Sequence, residues 1–283
     1  MLGLMLSAVL LAQAAPAADA EVPAISLTVL DAKGDAVEGL GAKDVALLEN
    51  GVARDITAFG PDLRSLTAAV IVDTSEVVSS AYRLNMVEPV VGLVARLPEG
   101  SRYAIWTTGD RPTKILDYTD DRAAASKALK LVAPRGGNYM LDALAEASAD
   151  MKAEEGRRRV VVAVTATGPE LSYRDKYRAA ETAEKSADLF LLLQISAGGA
   201  DFEQQGDLGY VLDRLATTTG GVHEVILSSL GTDSGLHKLS AALRSQYRLA
   251  YATLPRLKTR KLQVELARPG TRVVVPRRSE VEP

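Results

Sequence analysis

An apolar run, Thr67-Ala68-Ala69-Val70-Ile71-Val72, ends in Asp73-Thr74-Ser75. A buried strand closing on a carboxylate and two hydroxyls sets hard oxygen donors just outside the carboxyl end of a sheet. Open α/β sheets bind their ligands there, and oxygens of this kind suit Mg²⁺ or Ca²⁺. The set is incomplete, because the next alternate position, Val77, carries no oxygen. Glu76, Ser79 and Ser80 follow closely, but they fall at the start of a helical pattern, where Ser79 is expected to cap the helix. An acid and a hydroxyl at a strand end also satisfy backbone donors of the following turn, which leaves a purely structural reading of Asp73 and Ser75 equally open.

Nucleophilic chemistry finds little support. The chain has no cysteine and only two histidines, His223 at a strand start and His237 in an amphipathic helical stretch, neither within a recognisable motif. Ser196 lacks the leading glycine of a nucleophile elbow, and Gly136-Gly137 lacks the lysine and spacing of a phosphate loop. No catalytic residue is assigned, and the chain is read as non-enzymatic.

The elements that must position Asp73 are legible in the hydrophobic pattern. From Leu66 to Arg244, apolar runs alternate with helical patterns, which predicts a mostly parallel, doubly wound α/β sheet. Its central strands are Thr67 to Val72, Val160 to Val164 and Leu189 to Ile195, with a hairpin-like pair at Tyr103 to Thr107 and Thr113 to Tyr118. Helices are expected at Ser79 to Arg96, Asp120 to Leu131, Tyr139 to Lys152, Tyr173 to Ala187, Asp207 to Thr218 and Gly235 to Arg244. Both flanks alternate instead with period two. Ile25, Leu27 and Val29 open one group, followed by Val45 to Leu48 and Val52 to Phe59 around the hairpin signal Asn50-Gly51. Tyr247, Leu249 and Tyr251, then Leu262, Val264 and Leu266, then Val273 and Val275 form the other. Neither group is stable alone, so the two are expected to meet as one small sheet or sandwich, an accessory domain formed by residues 21–62 and 245–278 around an α/β domain at 66–244. Gly60 to Ser65 reads as the linker.

Composition narrows the function classes. Of 283 residues, 33 are basic and 36 acidic, so no global positive field favours nucleic acid. Arg157-Arg158-Arg159 and Arg277-Arg278 read as solvated strand flanks. Residues 1–20 combine a short apolar core, Leu2 to Ala12, with small residues at Ala12-Gln13-Ala14, Ala15-Pro16-Ala17 and Ala18-Asp19-Ala20. They read as a signal peptide, with a short N-terminal anchor as the alternative, and predict a periplasmic or extracellular protein with no membrane span after cleavage.

Three segments together resemble the ligand loops of a von Willebrand factor type A domain: the strand ending in Asp73-Thr74-Ser75, the Gly136-Gly137 turn opening Asn138-Tyr139-Met140-Leu141-Asp142-Ala143-Leu144, and the strand ending Val164-Thr165-Ala166-Thr167. The flanking Val45-Ala46-Leu47-Leu48-Glu49-Asn50-Gly51, Leu243 to Leu249 and Arg268-Pro269-Gly270-Thr271-Arg272-Val273 resemble bacterial exported proteins of the "VWFA-related" type. The resemblance implies a metal-ion-dependent adhesion site built from Asp-x-Ser-x-Ser, a threonine and an aspartate. Asp73 and Ser75 match, whereas Val77, Asn138 and Ala166 replace the second serine, the threonine and the aspartate. The implied metal ligands are therefore reduced to a vestigial Asp73, Ser75 and Asn138, with weak Mg²⁺ or Ca²⁺ as the alternative to no cofactor.

The function implied is an exported, non-catalytic protein–protein interaction module. Its loop face would use Asp73, Ser75, Arg135, Asn138, Tyr139, Thr165 and Thr167, and Tyr82, Met140 and Tyr173 offer further interface anchors. Two alternatives stay open: metal-dependent adhesion through a rearranged site, and an envelope assembly scaffold that pairs through its strand-rich ends.

Overall fold

The computed structural model of the protein describes residues 24–153, 156–196, 206–252 and 261–277. The expected signal peptide at 1–20 lies outside them. A six-stranded sheet forms the centre, built from β5 (Leu66–Val72), β6 (Arg102–Thr107), β7 (Thr113–Thr119), β8 (Arg158–Ala166), β9 (Leu189–Ile195) and β10 (Val222–Ile226). The spatial order is β10-β9-β8-β5-β6-β7, parallel throughout except for β7, which runs antiparallel to β6. Every residue of β5 and of β9 is buried, because helices cover both faces of the sheet. Alternate side chains divide between two cores. Leu66, Ala68, Val70 and Val72 pack with Val90, Leu93, Leu236 and Leu239, and Ala69 and Ile71 pack with Leu141, Leu144, Ala180 and Leu212. Each fully buried valine or leucine contributes roughly 1.5–3 kcal/mol.

The helices are α1 (Ser79–Ala81), α2 (Val87–Ala95), α3 (Ala124–Lys130), α4 (Met140–Asp150), α5 (Lys176–Ser186), α6 (Gly206–Thr219) and α7 (Thr232–Arg244). Several depart from the pattern-based expectation for local reasons. The helix expected as one piece from Ser79 to Arg96 is interrupted by a π turn at Tyr82–Met86. Pro89 has no N–H for the carbonyl one turn back, and the chain widens just ahead of it. Ser79 does not N-cap the helix, a position Val78 takes, but C-caps the 3₁₀ turn at Glu76–Val78 that already opens the segment. α5 begins at Lys176 rather than Tyr173 because Asp175 caps it, accepting from the amides of Tyr177 and Arg178 at 3.0 and 3.1 Å.

The two chain ends do meet. β1 (Ala24–Asp31), β4 (Ile56–Pro61), β11 (Gln246–Tyr251) and β13 (Thr271–Val274) form a four-stranded sheet, and β2 (Val45–Glu49), β3 (Val52–Arg54) and β12 (Leu262–Leu266) a three-stranded one. Leu27, Leu249 and Tyr251 of the first share a core with Val45, Leu47, Leu262 and Val264 of the second, so the arrangement is a small sandwich. The run expected as one strand from Val52 to Phe59 breaks at Asp55. β3 continues the Asn50-Gly51 hairpin with β2, while β4 crosses to pair with β11. Asn50 and Gly51 both adopt positive φ, 52° and 79°, as that turn requires. Gly60 and Pro61, expected in a linker, end β4 instead.

The sandwich is fastened to the amino-terminal ends of the parallel strands. Arg158, the first residue of β8, reaches Gln246 and Asp62, and Thr28 donates to the carbonyl of Gly220 at 2.7 Å. The carboxyl end of the sheet, with Asp73, faces the opposite way.

Candidate functional site

Four loops converge beyond the carboxyl ends of β5, β6 and β8. The first is Asp73 to Val78, the second Thr108 to Asp110, the third Arg135 to Tyr139 at the entrance of α4, and the fourth Thr167 to Arg174 after β8. Backbone hydrogen bonds stitch them together. The amide of Arg135 donates to the carbonyl of Thr74 at 2.9 Å, that of Glu76 to Gly136 at 3.0 Å, that of Tyr139 to Thr108 at 3.2 Å, and that of Leu171 to Asn138 at 2.7 Å. Gly109 sits at the tightest crossing, where a Cβ would lie 2.5 Å from the carbonyl oxygen of Thr74 and 2.8 Å from that of Arg135.

Asp73 is buried at the centre, and both of its oxygens are engaged. Oδ1 accepts from the amide of Ser75 at 2.9 Å and the hydroxyl of Thr108 at 3.5 Å. Oδ2 accepts from Asn138 Nδ2 at 3.1 Å, Thr165 Oγ1 at 3.2 Å and the amide of Ala166 at 2.9 Å. Ser75 Oγ and Asn138 Oδ1 are buried without a hydrogen-bond partner among the described residues.

This donor set does not fit a hard divalent cation. The one carboxylate is committed to five protein donors, and the two remaining oxygens are neutral, whereas Mg²⁺ gives up its water only to a near-octahedral oxygen shell that includes negative charge. Among the described residues no group of three or more His, Cys, Asp or Glu side chains is placed to hold a metal.

The fourth loop is pinned to the N-terminus of α4 by Asp142. Asp142 accepts from the amides of Tyr173 and Arg174 at 2.9 and 3.2 Å and from the Arg174 guanidinium at 2.8 Å. Within the loop, Glu170 accepts from the Ser172 amide at 3.0 Å, and its second oxygen is buried without a partner among the described residues. Burial raises the Glu170 carboxyl above its ordinary value, and the hydrogen bonds from Ser172 only partly offset it. Sequence reasoning missed Thr108, Gly109, Glu170 and Asp142. Only Asp142 left a signal, an acid in the first turn of a helix.

Five of the seven side chains expected to contact a partner lie beneath the surface. Asp73, Ser75, Asn138, Thr165 and Thr167 are all buried, and Thr167 accepts from Gln194 at 3.3 Å. Arg135 is exposed and pairs with Asp110 at 3.1 Å, and Tyr139 is half-buried. Tyr82 and Met140 belong to the two cores rather than to an interface, the Tyr82 hydroxyl donating to the Leu129 carbonyl at 3.0 Å. The surface itself is made by other residues. Val77 is 46% exposed and packs where a Cβ on Gly168 would touch it. Leu171, 49% exposed, lies over Gly137, and Tyr173, 90% exposed, stands 5.8 Å from the Tyr139 ring. Of the histidines, His223 bonds Gln194 at 3.0 Å, the same side chain that donates to Thr167, and His237 lies 2.6 Å from Arg96.

Comparison with known proteins gives a consistent picture. The family model of the von Willebrand factor type A domain matches residues 68–168, a span that runs from β5 through the first three loops to the start of the fourth. No curated protein matches. Among solved structures, a von Willebrand factor type A protein from Catenulispora acidiphila is 12% identical, with 91% of this chain and 73% of that chain covered at a TM-score of 0.53. Proximal thread matrix protein 1 from the mussel byssus is 17% identical, with 74% and 50% covered at 0.52. BatB, a conserved hypothetical protein from Bacteroides thetaiotaomicron, is 15% identical, with 63% and 98% covered at 0.49. At these identities the likeness to the first two is one of fold. Residues 68–168 thus match the von Willebrand factor type A domain, and the parallel sheet with its loops at the carboxyl end has that fold.

Proposed function

We propose that the protein is an exported, non-catalytic interaction module that recognises another protein through the loop face at the carboxyl end of its sheet, without tight metal binding. The observation that carries this reading is the rim of that face. Val77, Leu171, Tyr139 and Tyr173 come from three different loops and present apolar and aromatic surface around a carboxylate already saturated by protein donors. Aromatic side chains flanked by an arginine, here Arg135, are the residue types that anchor protein interfaces. The sandwich supports the assignment by occupying the other end of the sheet, which leaves the loop face free.

Export rests on residues 1–20 and their signal-peptide pattern. Among the described residues no helix is long and apolar enough to cross a membrane.

The test is site-specific photo-crosslinking in the native envelope, with the probe at Tyr173 and, as control, at Leu131. A partner joined through position 173, retained in chelator and lost on Tyr139→Ala with Leu171→Ser is the expected result. Equal crosslinking from both positions would remove the loop face as the recognition site.

A further inference from the structure

We infer that the side-chain amide of Asn138 takes the place of a cation, cross-linking the loops and preassembling the recognition face. Asn138 Nδ2 donates both to Asp73 Oδ2 at 3.1 Å and to Thr165 Oγ1 at 3.0 Å, joining the loop after β5 to the end of β8. Its backbone bridges Gly109 on one side and Glu170 on the other, so one residue touches all the other converging loops. The orientation of the amide follows from chemistry. Asp73 Oδ2 is an acceptor, and only the NH₂ end can face it. Thr165 then accepts from Asn138 while donating to Asp73 at 3.2 Å, and the three groups close a buried triangle.

Ala166 completes the arrangement. Its methyl adds no charge, and its amide donates to the same Asp73 oxygen at 2.9 Å. The Asp73 carboxylate is therefore satisfied by five donors, with no cation required, while Ser75 Oγ and Asn138 Oδ1 keep no partner among the described residues. A second carboxylate at position 166 would leave two like charges side by side with too few donors, the situation a divalent cation relieves. Asn138 and Ala166 are thus two halves of one change: an anion is absent, and an N–H donor stands where positive charge would be needed.

This inference rests on the loop-face reading, but its test involves no partner. Hydrogen exchange at the amides of Ser75, Ala166 and Leu171 is measured on the full chain in chelator and in Mg²⁺ or Mn²⁺. Wild-type exchange is expected to be the same in both. Asn138→Ala is expected to accelerate exchange at Ser75 and Ala166 by at least about tenfold, the loss expected when a buried charge-assisted hydrogen bond is removed. Should that variant not fold, Asn138→Asp is isosteric and places a carboxylate against Asp73. The Asp variant, and equally Ala166→Asp, is expected to show fast exchange in chelator and recovered protection in Mg²⁺ or Mn²⁺. Unchanged exchange in Asn138→Ala, cation-dependent protection in the wild type, or no cation rescue of either Asp variant would each overturn the proposal. Failure here leaves the loop-face reading standing, and lost partner capture with exchange protection intact does the reverse.

Discussion

Arg158 Nε lies 3.6 Å from Asp62 Oδ2, with the two side chains only 3% and 1% exposed, at the junction between the parallel sheet and the sandwich. Arg64 adds a bidentate contact to the same carboxylate at 2.9 and 2.7 Å, and Ser26 donates to it at 3.0 Å. Removing one partner of such a buried pair leaves the other charge uncompensated. Asp62→Asn is expected to lower stability by about 3–5 kcal/mol, read as a shift in the urea midpoint.

The same contact makes a pH prediction. Burial alone would raise the Asp62 carboxyl, but the Arg64 hydrogen bonds and the Arg158 and Arg64 charges outweigh it and hold it below its ordinary 3.8. A carboxyl lowered in the folded state contributes stability that is present above its unfolded value and lost as pH falls through the folded one. Wild type is expected to lose stability below pH 3.8, and Asp62→Asn to show a shallower loss across that window, as measured by urea titration at stepped pH.

Glu170 behaves with the opposite sign. Its carboxyl is raised by burial above the ordinary 4.5, so the contribution it makes in acid is lost as pH rises through the folded value. Glu170→Gln keeps an acceptor for the Ser172 amide and removes the buried charge. Greater stability than wild type at neutral pH, with the difference vanishing in acid, is the expected outcome in thermal melts.

Gly109 is a steric prediction. Its missing Cβ would meet two backbone oxygens, which cannot rotate away, so Gly109→Ala must push the Thr74 and Arg135 segments apart. A destabilisation of about 1–3 kcal/mol is expected, with faster hydrogen exchange at the Arg135 amide. Equal exchange in the variant would show that the crossing is looser than its geometry.

The Arg135–Asp110 pair is exposed on both sides, at 79% and 52%. Screening by water leaves such pairs little net energy, and Arg135→Ala is expected to change stability by less than about 1 kcal/mol. A loss of crosslinking to the partner without a change in melting would separate a role in recognition from one in folding.

The sequence alone determined the alternation of buried strands with amphipathic helices, the period-two pattern of both flanks, the Asn50-Gly51 hairpin and the position of Asp73 at a strand end. These are local facts, set by side-chain periodicity and turn chemistry within a few residues. It also identified Val77 and Ala166 as positions with no oxygen to offer. Tertiary structure decided which side chains are surface. Thr165 and Thr167 read as part of the loop face, yet adjacent strands and Gln194 bury them, and Leu171 reaches the surface only because Gly137 leaves room beneath it. Burial depends on neighbours distant in the chain, which no local pattern encodes. The role of Asn138 belongs to the same class, since its amide acquires meaning only when β5 and β8 bring Asp73 and Thr165, 92 positions apart, within 3.2 Å of each other.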